Sequence, residues 1–372
     1  MNSPHIARLS SVLAGLTLTL LLAGWIVPFI QFSAASQFDF WSVWLLCMLI
    51  LALPLSLLEI ALARRSQAVP LQALMTLTRE ADAKPAWRGV GWLAAATLGL
   101  LAGGLLYQSA SMLFEAMGNS PMPAMGYLSI GLLVAGLLLS LLPRVVLIGI
   151  ATLAVLVATG LSFVQVGLGD WQWTAFSLKE WAWAVSLALI ATGLGLGVYW
   201  QLNTNQQQAN QKISQQPISQ GLTKASQSAL PIWLAQVAGG MLIALVQGFH
   251  GTQTLWLYAI GLATGAAFLL SLLRAQLQAR GLNPLLQWLF VLVSAAVWLL
   301  PIQSLLTTVT LVVALLACLL YAIFSGWMMK ISHLRKALNF DQEVIYNLWR
   351  IGVRVIIPLA IVVAIIGLLL PA

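Results

Sequence analysis

Charge is what this chain lacks most. Only 7% of its 372 residues are charged, while 61% are hydrophobic. A soluble domain carries about 25% charged and about 45–50% apolar residues. No interior of this size hides such an excess, because much of any folded surface still faces water. A soluble enzyme, a nucleic-acid partner and a disordered chain are excluded. The mean hydropathy of +0.95 points the same way. An all-α polytopic membrane protein is expected, with the lipid bilayer as its principal partner.

Cysteine and histidine are scarce too. Cys47 and Cys318 sit inside apolar runs with no C-x-x-C pair, so they read as small core residues. His5, His250 and His333 are far apart and lack metal-ligand spacing. No cofactor and no metal site is expected. With no cluster of His, Asp, Glu or Cys in the apolar runs, an enzyme is not expected either.

The apolar runs read as eleven spans, at roughly 8–33, 40–64, 87–116, 124–142, 145–168, 180–202, 229–249, 254–275, 283–302, 304–329 and 346–370. With the N-terminus in the cytoplasm, 16 of the 17 basic residues fall on the inner side; only Lys179 falls outside. The positive-inside rule therefore predicts a multi-pass protein of the plasma (inner) membrane, N-terminus cytoplasmic and C-terminus outside. Trp41, Trp44, Trp171, Trp173 and Trp181 lie near predicted outer ends and read as interfacial anchors.

Two spans carry interruptions. Span 6 contains Thr192-Gly193-Leu194-Gly195-Leu196-Gly197. Each of its three glycines costs a helix about 1 kcal/mol relative to alanine. A break is expected there, with close helix packing through Gly193 and Gly197 as the competing reading. In span 1, Gly24 precedes Pro28 by four residues, the distance at which a proline ring clashes with a carbonyl. Spans 1 and 6 each open a group of five. The expected organisation is one transmembrane domain over 1–372. It holds a first five-helix repeat (8–168), a second, inverted repeat (180–329) and an extra helix (346–370).

These features carry a resemblance to the neurotransmitter:sodium symporter family, which has the LeuT-type fold. Trp25-Ile26-Val27-Pro28-Phe29 resembles the family's W-R-F-P-Y. Pro54-Leu55-Ser56-Leu57-Leu58-Glu59 with Ala63-Arg64 resembles its P-L-x-x-x-E...G-R. Trp87-Arg88-Gly89-Val90-Gly91-Trp92 is similar to W-R-x-x-G-W. Gly193 to Gly197 is similar to S-L-G-x-G, and Arg354 with Pro358 to R-Y-x-x-P. Each motif is weak alone; five in order along the spans are specific. The resemblance implies a LeuT-type fold with two inverted five-helix repeats plus one C-terminal helix. It also implies a secondary active transporter of amino acids or related small molecules, working by alternating access.

The departures are as informative. The sodium-binding segment carried over to span 1 falls on Leu16 to Ala23, filled mostly by leucine, and the span 6 threonine position is Ala191. In span 8, only Thr264 keeps a hydroxyl of the family's pair, as a possible residual sodium ligand. The gate arginine position is Ile26, and no acidic residue exists between Glu180 and Asp341 to act as its partner. Sodium coupling is thus in doubt, and the residues single out neither Na+ nor H+ as the coupling ion.

The resemblance implies a substrate pocket of Thr17, Leu18, Leu20, Leu21, Leu22, Tyr107, Ile190, Ala191, Gly193, Leu196, Thr264 and Phe268. Core packing is the competing reading for the leucines. Helix breaks are expected at Gly24 and Pro28, and at Thr192, Gly195 and Gly197. Glu59 is expected to support the unwound part of span 6 or to act as a coupling acid. So apolar a pocket suits a small-molecule substrate such as a hydrophobic amino acid. The alternative is a transport-inactive relative serving as a structural or interaction membrane protein.

Overall fold

The computed structural model describes residues 4–26, 37–118, 123–167, 171–204, 224–246 and 248–370. Among these, the chain is helical apart from turns, loops and an isolated bridge between Gln37 and Gln172. The helices are α1 (Pro4–Ile26), α2 (Phe38–Ser66), α3 (Pro70–Glu80), α4 (Pro85–Ala116), α5 (Pro123–Leu139), α6 (Arg144–Val166) and α7 (Leu178–Thr192). They continue as α8 (198–204), α9 (Ser226–Ala244), α10 (Thr252–Ala279), α11 (Pro284–Leu299), α12 (Gln303–Met328), α13 (Ile331–Leu338) and α14 (Glu343–Leu369).

Eight of these helices are long and apolar enough to cross a membrane. Two more, α5 and α11, are apolar but shorter. The interrupted pair α7 and α8 occupies the predicted span 6. The short helices α3 and α13 lie between spans. The protein is an all-α polytopic membrane protein.

Local chemistry explains the irregular places. α2 widens to π-helical geometry over Met48–Ala52, just before Pro54. α14 does the same over Gly352–Ile356, just before Pro358. A proline lacks its N–H and crowds the carbonyl four residues back, and a π-bulge absorbs that defect. Trp327 Nε1 donates at 3.2 Å to Arg354 O, the carbonyl four residues before Pro358. Trp233 Nε1 donates at 2.8 Å to Met48 O, which also accepts the Leu53 N–H. α7 starts with a capping box. Ser177 Oγ accepts from Glu180 N at 3.1 Å, and Glu180 Oε2 accepts from Ser177 N at 2.7 Å.

α1 and α10 form the centre. α1 packs on α9, α6 and α7, and α10 packs on α4 and α6. Large apolar side chains remain exposed on the periphery, among them Leu138, Leu153, Leu285 and Leu359. On a bundle this apolar they form the lipid-facing surface. The ion pairs gather at one end: Arg65–Glu80 at 2.7 Å, Lys330–Asp82 at 3.3 Å, Lys224–Asp341 at 2.5 Å and Arg335–Glu343 at 3.3 Å.

Two of the expected tryptophan anchors are core residues instead. Trp41 and Trp44 are buried, and Trp44 fills the space that Gly240 leaves open, where a Cβ would lie 2.1 Å from its ring. Trp173 is 72% exposed and stacks on Phe38. Cys47 and Cys318 are buried and free.

Candidate functional site at the helix break

α7 ends at Thr192 and α8 begins at residue 198, with a turn between them. Gly193 (φ +83°) and Gly197 (φ +68°) adopt left-handed backbone, which costs an L-residue about 1–2 kcal/mol. Space is equally restrictive. A Cβ would lie 2.7 Å from the Tyr199 ring at Gly193, 2.7 Å from Ala314 O at Gly195, and 2.4 Å from Pro70 Cγ at Gly197. The three alternate glycines therefore meet three different neighbours. Leu196 N and Gly197 N both donate to Gly193 O, at 2.8 and 2.6 Å.

The break frees backbone groups inside the membrane, and side chains take them. Glu59 on α2 is fully buried, and its Oε1 accepts the Trp200 N–H at 2.9 Å. That N–H belongs to the first turn of α8, whose partial positive charge favours a carboxylate. Glu59 Oε2 makes no hydrogen bond among the described residues and lies 3.4 Å from where a Gly193 Cβ would stand. At the other lip, Ala191 O accepts from Gln236 Nε2 at 2.7 Å and from Tyr199 Oη at 3.1 Å. Tyr321 and Thr310 on α12 are buried, and neither hydroxyl has a hydrogen-bond partner among the described residues.

α1 is different. It stays helical through Gly24 to Ile26; Pro28 lies outside the described residues. Gly24 therefore marks a close approach rather than a break: its Cβ would lie 1.9 Å from Tyr258 Oη. That phenol donates to Leu21 O at 3.2 Å. The Leu21 side chain presses on α10, where a Cβ on Gly265 would lie 2.3 Å from its Cδ1. Leu18, Leu20 and Leu22 are buried, as are Ile190, Ala191, Leu196 and Phe268.

The hydroxyls are committed locally. Thr17 Oγ1 lies 2.6 Å from Thr152 Oγ1, which itself donates to Ile148 O, so Thr17 is the donor of the pair. Thr192 Oγ1 donates to Leu189 O, and Thr264 Oγ1 to Ile260 O at 2.7 Å. Both satisfy their own helices. Among the described residues, no group of three or more His, Cys, Asp or Glu could hold a metal ion.

Tyr107 does not join the others. It is half-buried, stacks on Trp298 with centroids 6.1 Å apart, and shares a shallow recess with Ser129, Leu133 and Ala295. The cause is the Gly103-Gly104 pair, whose missing side chains let Trp298 wedge against α4 and donate to Leu100 O at 2.7 Å. Tyr107 thus faces α5 and α11. Sequence reasoning missed Tyr258, Tyr199 and Gln236. Gln236, a glutamine in the middle of the apolar run of span 7, was the one available signal.

No protein-family model and no curated protein sequence matches the chain. Among solved structures it is similar to the crystal structure of MhsT in complex with L-phenylalanine, at 14% identity and a TM-score of 0.69. The likeness covers 97% of this chain and 98% of that one. The chain has the LeuT-type fold.

Proposed function

We propose that this protein is a secondary transporter of small apolar amino acids or related molecules, working by alternating access around the span 6 break. The observation that carries this reading is the break itself: unwound backbone at membrane depth, flanked by Glu59, in a fold shared with a structure that holds L-phenylalanine. Such backbone is tolerated where it lines a protein-enclosed site, and half-helix ends recognise charged groups of a substrate. The first-repeat (8–168) and second-repeat (180–329) halves would rock about this site. Leu18, Leu20, Leu21, Leu22, Ile190, Leu196 and Phe268 would give it an apolar wall.

Sodium is not required in this reading. Leu21 occupies the space between α1 and α10, and Thr264 donates to its own helix. Sodium needs several oxygen ligands, and leucine side chains offer none. The test is uptake of apolar amino acids into proteoliposomes, with sodium and proton gradients imposed separately. Uptake without sodium is expected; strict dependence on sodium would overturn the proposal. Glu59 acts as a positioning residue for α8. A Glu59→Gln variant is expected to keep proton-driven uptake, whereas its loss in folded protein would make Glu59 the coupling acid.

The same leucines favour a second reading, a transport-inactive membrane protein with a structural or interaction role. Absence of both uptake and amino-acid binding in folded protein would select it.

A further inference from the structure

α12 and α14 meet at the end of the molecule where the ion pairs gather, and they leave two arginines without acidic partners. Among the described residues no carboxylate forms an ion pair with Arg350 or Arg354. The nearby Glu343 is already bound to Arg335. Arg350 and Arg354 stand one helical turn apart on α14, so their like charges face each other. Both line a recess with Gly326, Met329, Tyr346 and Trp349.

Arg354 is held in place. Its stem crosses Gly326, where a Cβ would lie 3.0 Å from Arg354 Cγ, and its Nε donates to Gly326 O. Its guanidinium lies over the Trp327 ring at 5.4 Å. That clamp uses the carbonyl of residue 326 and one face of the guanidinium, and among the described residues no other hydrogen bond engages its remaining N–H groups.

With the Leu370 end of α14 set at one edge of the hydrocarbon core, about 20 helical residues at 1.5 Å each span its thickness of about 30 Å. Arg350 then falls at the boundary and Arg354 about 6 Å inside it. The neighbouring surface is apolar and open: Leu348, Ile351 and Val355 are 65%, 54% and 54% exposed, and Trp327 is 57% exposed. Arg350 at headgroup depth, and Arg354 one turn below with a stem long enough to bring its guanidinium to the same level, lie beside an acyl-facing surface and an interfacial indole and match one ligand chemistry.

We propose that the recess between α12 and α14 binds an anionic phospholipid, with the headgroup phosphate on Arg350 and Arg354 and the acyl chains along Leu348, Ile351 and Val355. The bidentate N–H fork of arginine suits a phosphodiester, and the lipid neutralises two cations that the protein leaves unpaired.

The test is native mass spectrometry of the full chain released from mixed micelles of phosphatidylglycerol and phosphatidylcholine with identical acyl chains. Preferential retention of phosphatidylglycerol is expected, as is persistence of that complex in millimolar inorganic phosphate. R350Q, which leaves the Gly326 and Trp327 contacts of Arg354 intact, is expected to weaken the preference about fivefold. R354Q is expected to weaken it at least as much, and a thermal melt reports whether that variant still folds. Equal retention of the two lipids would overturn the proposal. An undiminished preference in R350Q would overturn it too. Displacement of the lipid by inorganic phosphate would assign the recess to a free anion instead.

Discussion

Span 1 and span 6 are counterparts in the sequence, each apolar and each interrupted by glycine, yet they fold differently. α1 runs unbroken through Gly24, while span 6 splits into α7 and α8. The difference lies in what the glycines meet. Gly193 and Gly197 have positive φ and are crowded by Tyr199 and Pro70. Gly24 is crowded by the Tyr258 phenol and, at 3.2 Å, by the Phe249 ring stacked on it, with its backbone helical. One glycine makes room for a neighbour; the run of three ends a helix. The polar chemistry follows the same division. Span 6 receives Glu59 and Gln236 and is bridged by its own Tyr199, whereas the middle of α1 meets leucine packing, the Thr152 hydroxyl and the Tyr258 phenol.

The contrast can be broken by substitution. Gly197→Val combines left-handed strain with a clash on Pro70 and is expected to cost about 4 kcal/mol, seen as a large fall in thermal midpoint or loss of folded protein. A variant of wild-type stability would mean that the break does not depend on that conformation. Leu21→Ala opens a cavity against Gly265 and is expected to cost about 3 kcal/mol. A much smaller loss by the same melt would show that α1 packs loosely on α10.

Gly24→Ala sharpens the contrast directly. In an open helix it would add about 1 kcal/mol of stability. Against Tyr258 it is expected to remove about 2 kcal/mol by overpacking, and a Tyr258→Ala change in the same chain is expected to relieve the loss. A gain from Gly24→Ala alone would refute the close approach. The smallest effect is expected at Thr264→Val, within about 1 kcal/mol and with no change in response to sodium, because its hydroxyl serves its own helix. A sodium response lost in that variant would restore Thr264 as a ligand.

Much of this architecture was legible in the residues. Apolar runs of membrane-spanning length mark the spans, and the alternate glycines mark the place where α7 ends. Glu59 was legible as a rare carboxylate within a span. Helix rotation was not. Tyr107 turns toward α5 and α11 because Trp298 enters beside Gly103 and Gly104, a contact between residues far apart in the chain. Trp44 is buried because Gly240 makes room for it. Such choices depend on which faces meet, and an apolar helix in lipid has no strong polar face to declare its orientation. Tyr258 was hidden for the same reason: its partner is a backbone carbonyl, which carries no sequence signal.

The central claim is that an apolar amino acid binds at the break without sodium. Its most direct test is equilibrium binding of radiolabelled apolar L-amino acids, phenylalanine included, to the purified protein in sodium chloride and in potassium chloride. The account predicts saturable binding with equal affinity in the two salts. Binding that appears only in sodium, or no saturable binding by folded protein, would contradict it.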